Sequence, residues 1–185
     1  MTQLAAGSIS FVGQDVVAYV SGFYVVFYNF VRRQTVGQVQ LGPNLDRVRQ
    51  LEFYQNNSKF LTCEERPEGA CVSVYARNSA TNYEFTLQFR ILLTVQLGSE
   101  PTQLRSVLCA KFIGLNKIAV ISGAPEFMFL VYENDQKTAA IPTFTLKVAE
   151  PKVVETDLEK TKILQLNDKE LLIVCGQTLK CVRIQ

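Results

Sequence analysis

A chain of 185 residues with 48% hydrophobic and 19% charged side chains has the composition of a globular domain, which excludes a disordered segment. Its net charge is only +2, and Arg32-Arg33, Arg47 and Arg49 are offset by Asp46, Glu52, Glu64, Glu65 and Glu68, so no one-signed basic face marks it for nucleic acid. Histidine is absent altogether, which removes the commonest general base and any Cys/His zinc set.

Along the chain the elements predicted are strands. Ser8 to Val12 is a short lead-in, Gly13-Gln14-Asp15 a turn, and Val16 to Ser21 an apolar run closed by Gly22. A second run follows from Phe23 through Val25-Val26-Phe27-Tyr28 to Asn29. The stretch from Val16 to Val31 carries no charge, but it is shorter than the ~20 apolar residues of a membrane helix and is broken by Ser21-Gly22. It reads as two core strands. Gln34 to Leu41 alternates polar and apolar residues, as a half-buried outer strand does, and Gly42-Pro43-Asn44 ends it.

The same order then returns. Val48 to Tyr54 is a lead-in, Gln55-Asn56-Asn57-Ser58 a turn, and Phe60 to Cys63 and Cys71 to Tyr75 are strands around Pro67-Glu68-Gly69. The next outer strand, Tyr83 to Leu97, is long and is expected to include a bulge or extended hairpin before Gly98-Ser99-Glu100-Pro101 ends the repeat. Val107 to Ile113, Ile118 to Ser122 and Phe127 to Tyr132 form a third set, with Pro142 to Val148 outermost. Lys162 to Leu166, Leu171 to Gly176 and Leu179 to Ile184 begin a fourth. The charged stretch 151–160 reads as a loop between sets.

Turn glycines Gly22, Gly69, Gly123 and Gly176 thus stand 47, 54 and 53 residues apart. One hairpin recurring at about this period is the signature of a repeat architecture, best matched by propeller blades of four strands. The expectation is an all-β, β-propeller-like chain of about four blades near 8–43, 47–98, 105–149 and 160–185, the last incomplete. Inner strands such as Phe23 to Tyr28 are apolar on both faces, as expected of a blade sandwiched between neighbours. An incomplete last blade exposes an edge, so a partner chain or further blades are expected to cover Leu179, Val182 and Ile184.

Chemistry is harder to find. Gly37 to Gly42 has the two-glycine spacing of a phosphate loop, but Pro43 stands where a lysine is needed. Glu64-Glu65 and Glu68 read as a solvated hairpin turn rather than paired catalytic acids. Five cysteines without C-x-x-C spacing fit small hydrophobes of a reducing compartment better than a metal site. No catalytic residue, cofactor or metal is therefore expected, and the chain is expected to be a cytoplasmic protein without membrane insertion. Phe30 and Val31 read as exposed, and Arg47, Arg49, Arg66 and Arg77, at strand ends and turns, as a surface for reading a partner.

The phrase Ile9-Ser10-Phe11-Val12-Gly13-Gln14-Asp15-Val16-Val17-Ala18-Tyr19, with Ser21-Gly22 and Val25-Val26-Phe27-Tyr28-Asn29, resembles the opening blade of cilia- and flagella-associated WD-repeat proteins. Val48 to Phe53 and Ser58 to Cys63 are similar to the blade that follows, so the resemblance covers roughly residues 8 to 76. The chain departs from it in having neither Trp nor His, so the Asp-His-Ser/Thr-Trp network of many such blades cannot form. What the resemblance implies is a structural role on the axoneme, with coiled-coil proteins or tubulin as partners and no catalytic residues. A cytosolic adaptor propeller that recognises peptides in a coat, ubiquitin-ligase or signalling complex is the alternative, with the same arginines as its reading surface.

Overall fold

The computed structural model describes residues 9–96, 100–114, 116–133, 142–148, 161–167, 169–175 and 178–184, and every regular element among them is a β-strand. The first sheet holds β1 (Ile9–Phe11), β2 (Val16–Ser21), β3 (Tyr24–Asn29) and β4 (Gln34–Gln40) in the order β1-β2-β3-β4. The second repeats that meander with β5 (Arg47–Phe53), β6 (Lys59–Arg66), β7 (Gly69–Arg77) and β8 (Phe85–Leu92). A small hairpin, β9 (Thr94–Gln96) with β10 (Pro101–Gln103), follows. The third sheet is β11 (Val107–Ile113), β12 (Lys117–Ser122), β13 (Met128–Glu133) and β14 (Phe144–Lys147). β15 (Lys162–Gln165), β16 (Glu170–Cys175) and β17 (Thr178–Arg183) form the fourth, with three strands among the described residues.

All pairings are antiparallel, because each sheet is a chain of hairpins. The bulge expected in the second outer strand shows as a register shift opposite Val74 and Tyr75, and β9 pairs with β10 as a separate hairpin. Pro101, read as punctuation, instead opens β10, and the charged stretch 151–160 lies outside the described residues. Hairpin turns use backbone that side chains resist: Gly69 sits at φ 129°, a conformation natural to glycine alone.

Three apolar clusters fill the spaces between successive sheets. The first is an aromatic stack: Phe27 lies 5.1 Å from Phe85 with ring planes 5° apart, and Phe60 lies 4.7 Å from Tyr75. Between second and third sheets the filling is mostly aliphatic, with Leu61, Val72, Val74 and Ile91 against Ile118, Val120 and Leu130. Phe129, Val131, Leu171, Ile173 and Val182 fill the third space. Full burial of each such side chain contributes roughly 1.5–3 kcal/mol, and the opposing faces supply most of what holds the stack together.

Sandwiching decides where the sequence alternates. β6, β7, β12 and β13 are buried on both faces over most of their length. β3 was expected to behave likewise, and it does not. Val25, Phe27 and Asn29 are buried while Tyr24 is exposed and Val26 and Tyr28 are half-buried. Among the described residues the first sheet has a neighbour on one side only, so its aromatic strand faces outward with every second residue.

Candidate interaction surfaces

The arginines expected to share one surface differ in exposure. Arg66, at the end of β6, is 5% exposed and belongs to the interior. Its Nε donates to Glu64 Oε2 at 2.7 Å, and its two Nη groups donate to the carbonyls of Leu41 and Pro43, each at 2.6 Å. Glu64 is fully buried in the same strand and also accepts from Thr62 Oγ1 at 2.5 Å. Of the turn expected to be solvated, Glu68 is exposed and Glu65 half-buried, whereas Glu64 forms with Arg66 a buried ionic latch that holds the linker between first and second sheets. The register explains it. Alternate residues Thr62, Glu64 and Arg66 face the first sheet, and the linker carbonyls lack strand partners there.

Burial by itself would lower the Arg66 pKa, but the charge and hydrogen bond of Glu64 outweigh this and raise it. Cys71, whose thiol lies 3.6 Å from Glu64 Oε2, is pushed up to about 12 by burial and then by that carboxylate. Such a thiol stays protonated and unreactive at neutral pH.

The other arginines are accessible in differing degrees. Arg47 is exposed at the start of β5. Arg49 sits at a bulge in β5, where the register shifts between Val48 and Gln50, and its Nε donates to Glu65 Oε1 at 3.0 Å. Arg77 lies 4.5 Å over the ring of Tyr83 and donates to the carbonyl of Asn82, which holds a loop of the second sheet. Ser106 donates to Glu65 at 2.8 Å and thereby ties the second sheet to the segment entering the third. These contacts are structural anchors: Arg47, opposite Glu65, and Arg49, bonded to it, stand at the same end of the second sheet as the buried Arg66, whereas Arg77 stands at the other end.

The C-terminal residues divide as well. Val182 and Ile184 pack into the cluster against the third sheet at 5% and 6% exposure, whereas Leu179 is 65% exposed. The expectation of one apolar edge made of all three is corrected: β17 alternates, and its inward residues are already covered.

Strand register reveals what the sequence reading missed. Directly paired residues of the second and third strands of each sheet share one face. The pairs Phe60–Tyr75, Ile118–Tyr132 and Leu171–Val182 all face the preceding sheet and are buried by it. In the first sheet the equivalent pair is Val17–Tyr28, half-buried, on a face shared with Ile9, Phe11, Tyr19, Tyr24 and Val26. Not one of these residues is charged, and Phe11 is 73% exposed.

The opposite faces mirror this. Ala18–Phe27, Leu61–Val74 and Ala119–Val131 pack on the following sheet. Their equivalent in the fourth sheet is Leu172–Cys181, where Leu172 is half-buried and Cys181 exposed. Leu164 and Leu179 stand on the same face at 45% and 65% exposure. Among the described residues the stack thus ends in two faces with no sheet packed on them, the first uncharged and the second apolar at its centre with Lys162, Glu170 and Arg183 at its ends. Repeating tyrosines Tyr28, Tyr75 and Tyr132 were the available signal for this.

A cleft of about 430 Å³ opens where the ends of β5, β11 and β15 converge, lined by Glu52, Tyr54, Lys111, Phe112, Leu164 and Leu166 among others. Lys111 Nζ spans it to Glu52 Oε1 at 2.9 Å. Among the described residues no cluster of His, Cys, Asp or Glu has metal-binding geometry, and no helix is long and apolar enough to cross a membrane.

No family model matches this sequence and no curated protein matches it. Solved structures do match in shape. KlHsv2 with loop 6CD replaced by a Gly-Ser linker aligns with a TM-score of 0.61 at 16% identity, covering 91% of this chain and 48% of that one. The Cps50 (Swd1) β-propeller domain of Myceliophteria thermophila aligns at 0.62 with 8% identity, covering 92% and 51%. Dihydro-heme d1 dehydrogenase NirN in complex with DHE aligns at 0.57 with 13% identity, covering 98% and 35%. At such identities the likeness concerns the fold, which is that of a β-propeller in part. The chain spans about half the length of the first two structures.

Proposed function

We propose that this chain is a non-enzymatic scaffold, a rigid set of propeller blades that mediates protein–protein interaction in an axonemal complex. The observation that carries the scaffold reading is the pair of uncharged or apolar sheet faces at the two ends of the stack. Their register positions are the ones that bury a neighbour everywhere else in the chain. Large apolar sheet faces of this kind mark interaction sites in folded proteins. A non-enzymatic role is supported by the absence of histidine and by the engagement of Glu64 with Arg66, Thr62 and a linker. The axonemal setting rests on the resemblance of residues 9–29 and 48–63 to ciliary WD-repeat proteins, with coiled coils or tubulin as partners.

The test is recovery of a tagged copy from a ciliated cell. The scaffold reading expects it in the detergent-resistant axoneme, and expects a Phe11→Lys, Tyr24→Lys variant of equal abundance to be lost from that fraction. Diffuse cytosolic tag with unchanged solubility in both forms would overturn it.

A further inference from the structure

We propose that the outward face of the first sheet docks on the outward face of the fourth sheet of a second copy of this chain, so that two copies close one ring. The inference deepens the scaffold reading by naming the occupant of its two open faces.

Each joint inside the chain has a leading half and a trailing half. The leading halves are Phe60–Tyr75, Ile118–Tyr132 and Leu171–Val182, and the trailing halves are Ala18–Phe27, Leu61–Val74 and Ala119–Val131. Each of these residues is 5% exposed or less. One leading half, Val17–Tyr28, and one trailing half, Leu172–Cys181, have no sheet packed on them among the described residues; Val17, Tyr28 and Leu172 are half-buried and Cys181 is exposed. A single chain therefore carries both sides of one further joint, built at the same register as the three it already makes.

The chemistry of the two sides matches. The first sheet offers Tyr19, Tyr24, Val26 and Tyr28 with Gln38 and Gln40 at its outer strand and no charge to desolvate. The fourth offers Leu164, Leu172, Val174 and Leu179, with Lys162, Glu170 and Arg183 at the ends of the face, where solvent still reaches. Burying either face against the other leaves no unpaired charge in the middle of the contact.

The count of sheets is compatible with a second copy. Four blade-like sheets stand among the described residues, so two copies hold eight, inside the range of roughly four to eight blades that closed propellers use. A head-to-tail contact of this kind closes when the rotation per blade allows it, and otherwise runs on into a filament.

Sedimentation equilibrium of the purified chain tests this, together with two surface variants, Tyr28→Lys on the leading face and Leu179→Glu on the trailing face. The expected result is a species of twice the chain mass that either variant reduces to a monomer with unchanged β-sheet circular dichroism. Mixing the two variants restores the dimer, because one joint between them is unmodified. A monomer at every concentration up to ~100 µM overturns the proposal, while axonemal recovery would still decide the scaffold reading separately. A dimer that Leu179→Glu leaves intact would be face-to-face and also overturns it, as does a ladder of larger oligomers, which means the rotation does not close.

Discussion

The joint between first and second sheets and the joint between second and third do the same job with different chemistry. The first is half aromatic stack, Phe27 on Phe85 and Phe60 on Tyr75, and half ionic latch, Glu64 with Arg66. The second is nearly all aliphatic, Leu61, Val72 and Ile91 against Ile118, Val120 and Leu130, with Tyr132 donating to the carbonyl of Thr94. The difference follows from what each joint must bury. The first encloses a linker whose carbonyls at Leu41 and Pro43 need donors, and Arg66 supplies them. At the second, strand faces meet directly, and its polar ties, Ser106 to Glu65 and Lys111 to Glu52, are only partly buried. An ionic latch fixes one arrangement and is costly when half of it is lost; an aliphatic joint tolerates repacking.

Breaking the latch should have the largest effect. Glu64→Ala leaves Arg66 buried without its carboxylate, and a loss of about 3–5 kcal/mol in urea unfolding is expected. Replacing both partners by apolar residues should not restore stability, because the Leu41 and Pro43 carbonyls would lose their donor. Recovery to wild-type stability in a Glu64→Leu, Arg66→Met double variant would show that the linker does not need the latch.

At the aliphatic joint, Leu130→Ala removes a fully buried side chain and should cost about 2–5 kcal/mol, whereas Leu130→Met should cost less than about 1.5. The same conservative swap within the latch, Arg66→Lys, cannot reproduce three directed donations and should cost more than Leu130→Met. Equal costs for the two swaps would erase the contrast between the joints.

Gly37 sharpens the comparison at the aromatic end. A Cβ there would sit 2.5 Å from the carbonyl oxygen of Tyr83, so Gly37→Ala forces β4 away from the second sheet. A loss of about 1–3 kcal/mol is expected, read as a shift in urea midpoint with unchanged slope.

Alkaline pH should weaken both joints, since burial also raises the pKa of Cys63 and Tyr132 at the second, and the first shows the effect through Cys71 and Tyr75. Cys71 keeps its proton in the fold up to about 12, whereas an unfolded thiol loses it near 9.0. Tyr75 behaves alike, raised from 10.0 to about 12 by burial and then by the Glu64 charge. The unfolded state therefore binds fewer protons between these values, and stability falls as pH rises from 9 toward 12 while nothing is lost below 9. Urea midpoints measured from pH 8 to 11 should show that decline, and Cys71→Ala should flatten its lower part. The smallest effect belongs to Arg49→Ala, which removes a partly exposed pair with Glu65 and should cost less than about 1 kcal/mol.

Strand order and periodicity were legible because each hairpin writes its own local signal. β11 spans Val107–Ile113 as the apolar run predicts, and the long second outer strand carries a bulge in its pairing with β7. Phe30 and Val31 are exposed at 43% and 63%, as their place before Arg32-Arg33 indicates. The fate of Arg66 was not legible. Whether a strand-end arginine meets solvent or two orphan carbonyls depends on a linker 23 and 25 residues away, and composition holds no trace of that distance. Nor were the open faces legible, since Tyr28, Tyr75 and Tyr132 look alike in the sequence and differ only in whether a neighbour covers them.

What the sequence determined by itself is therefore the unit. Alternation, turn glycines and a period near fifty residues dictate antiparallel meanders, because hairpin pairing is local and needs no knowledge of the rest of the chain. What the tertiary structure decided is the side each residue faces and what lies there. Stacking buries Val182 and Ile184, exposes Leu179, closes Glu64 on Arg66 and leaves Val17 and Tyr28 half-covered. Sheets meet through contacts far apart in sequence, and the end members of a stack have one neighbour where the inner ones have two.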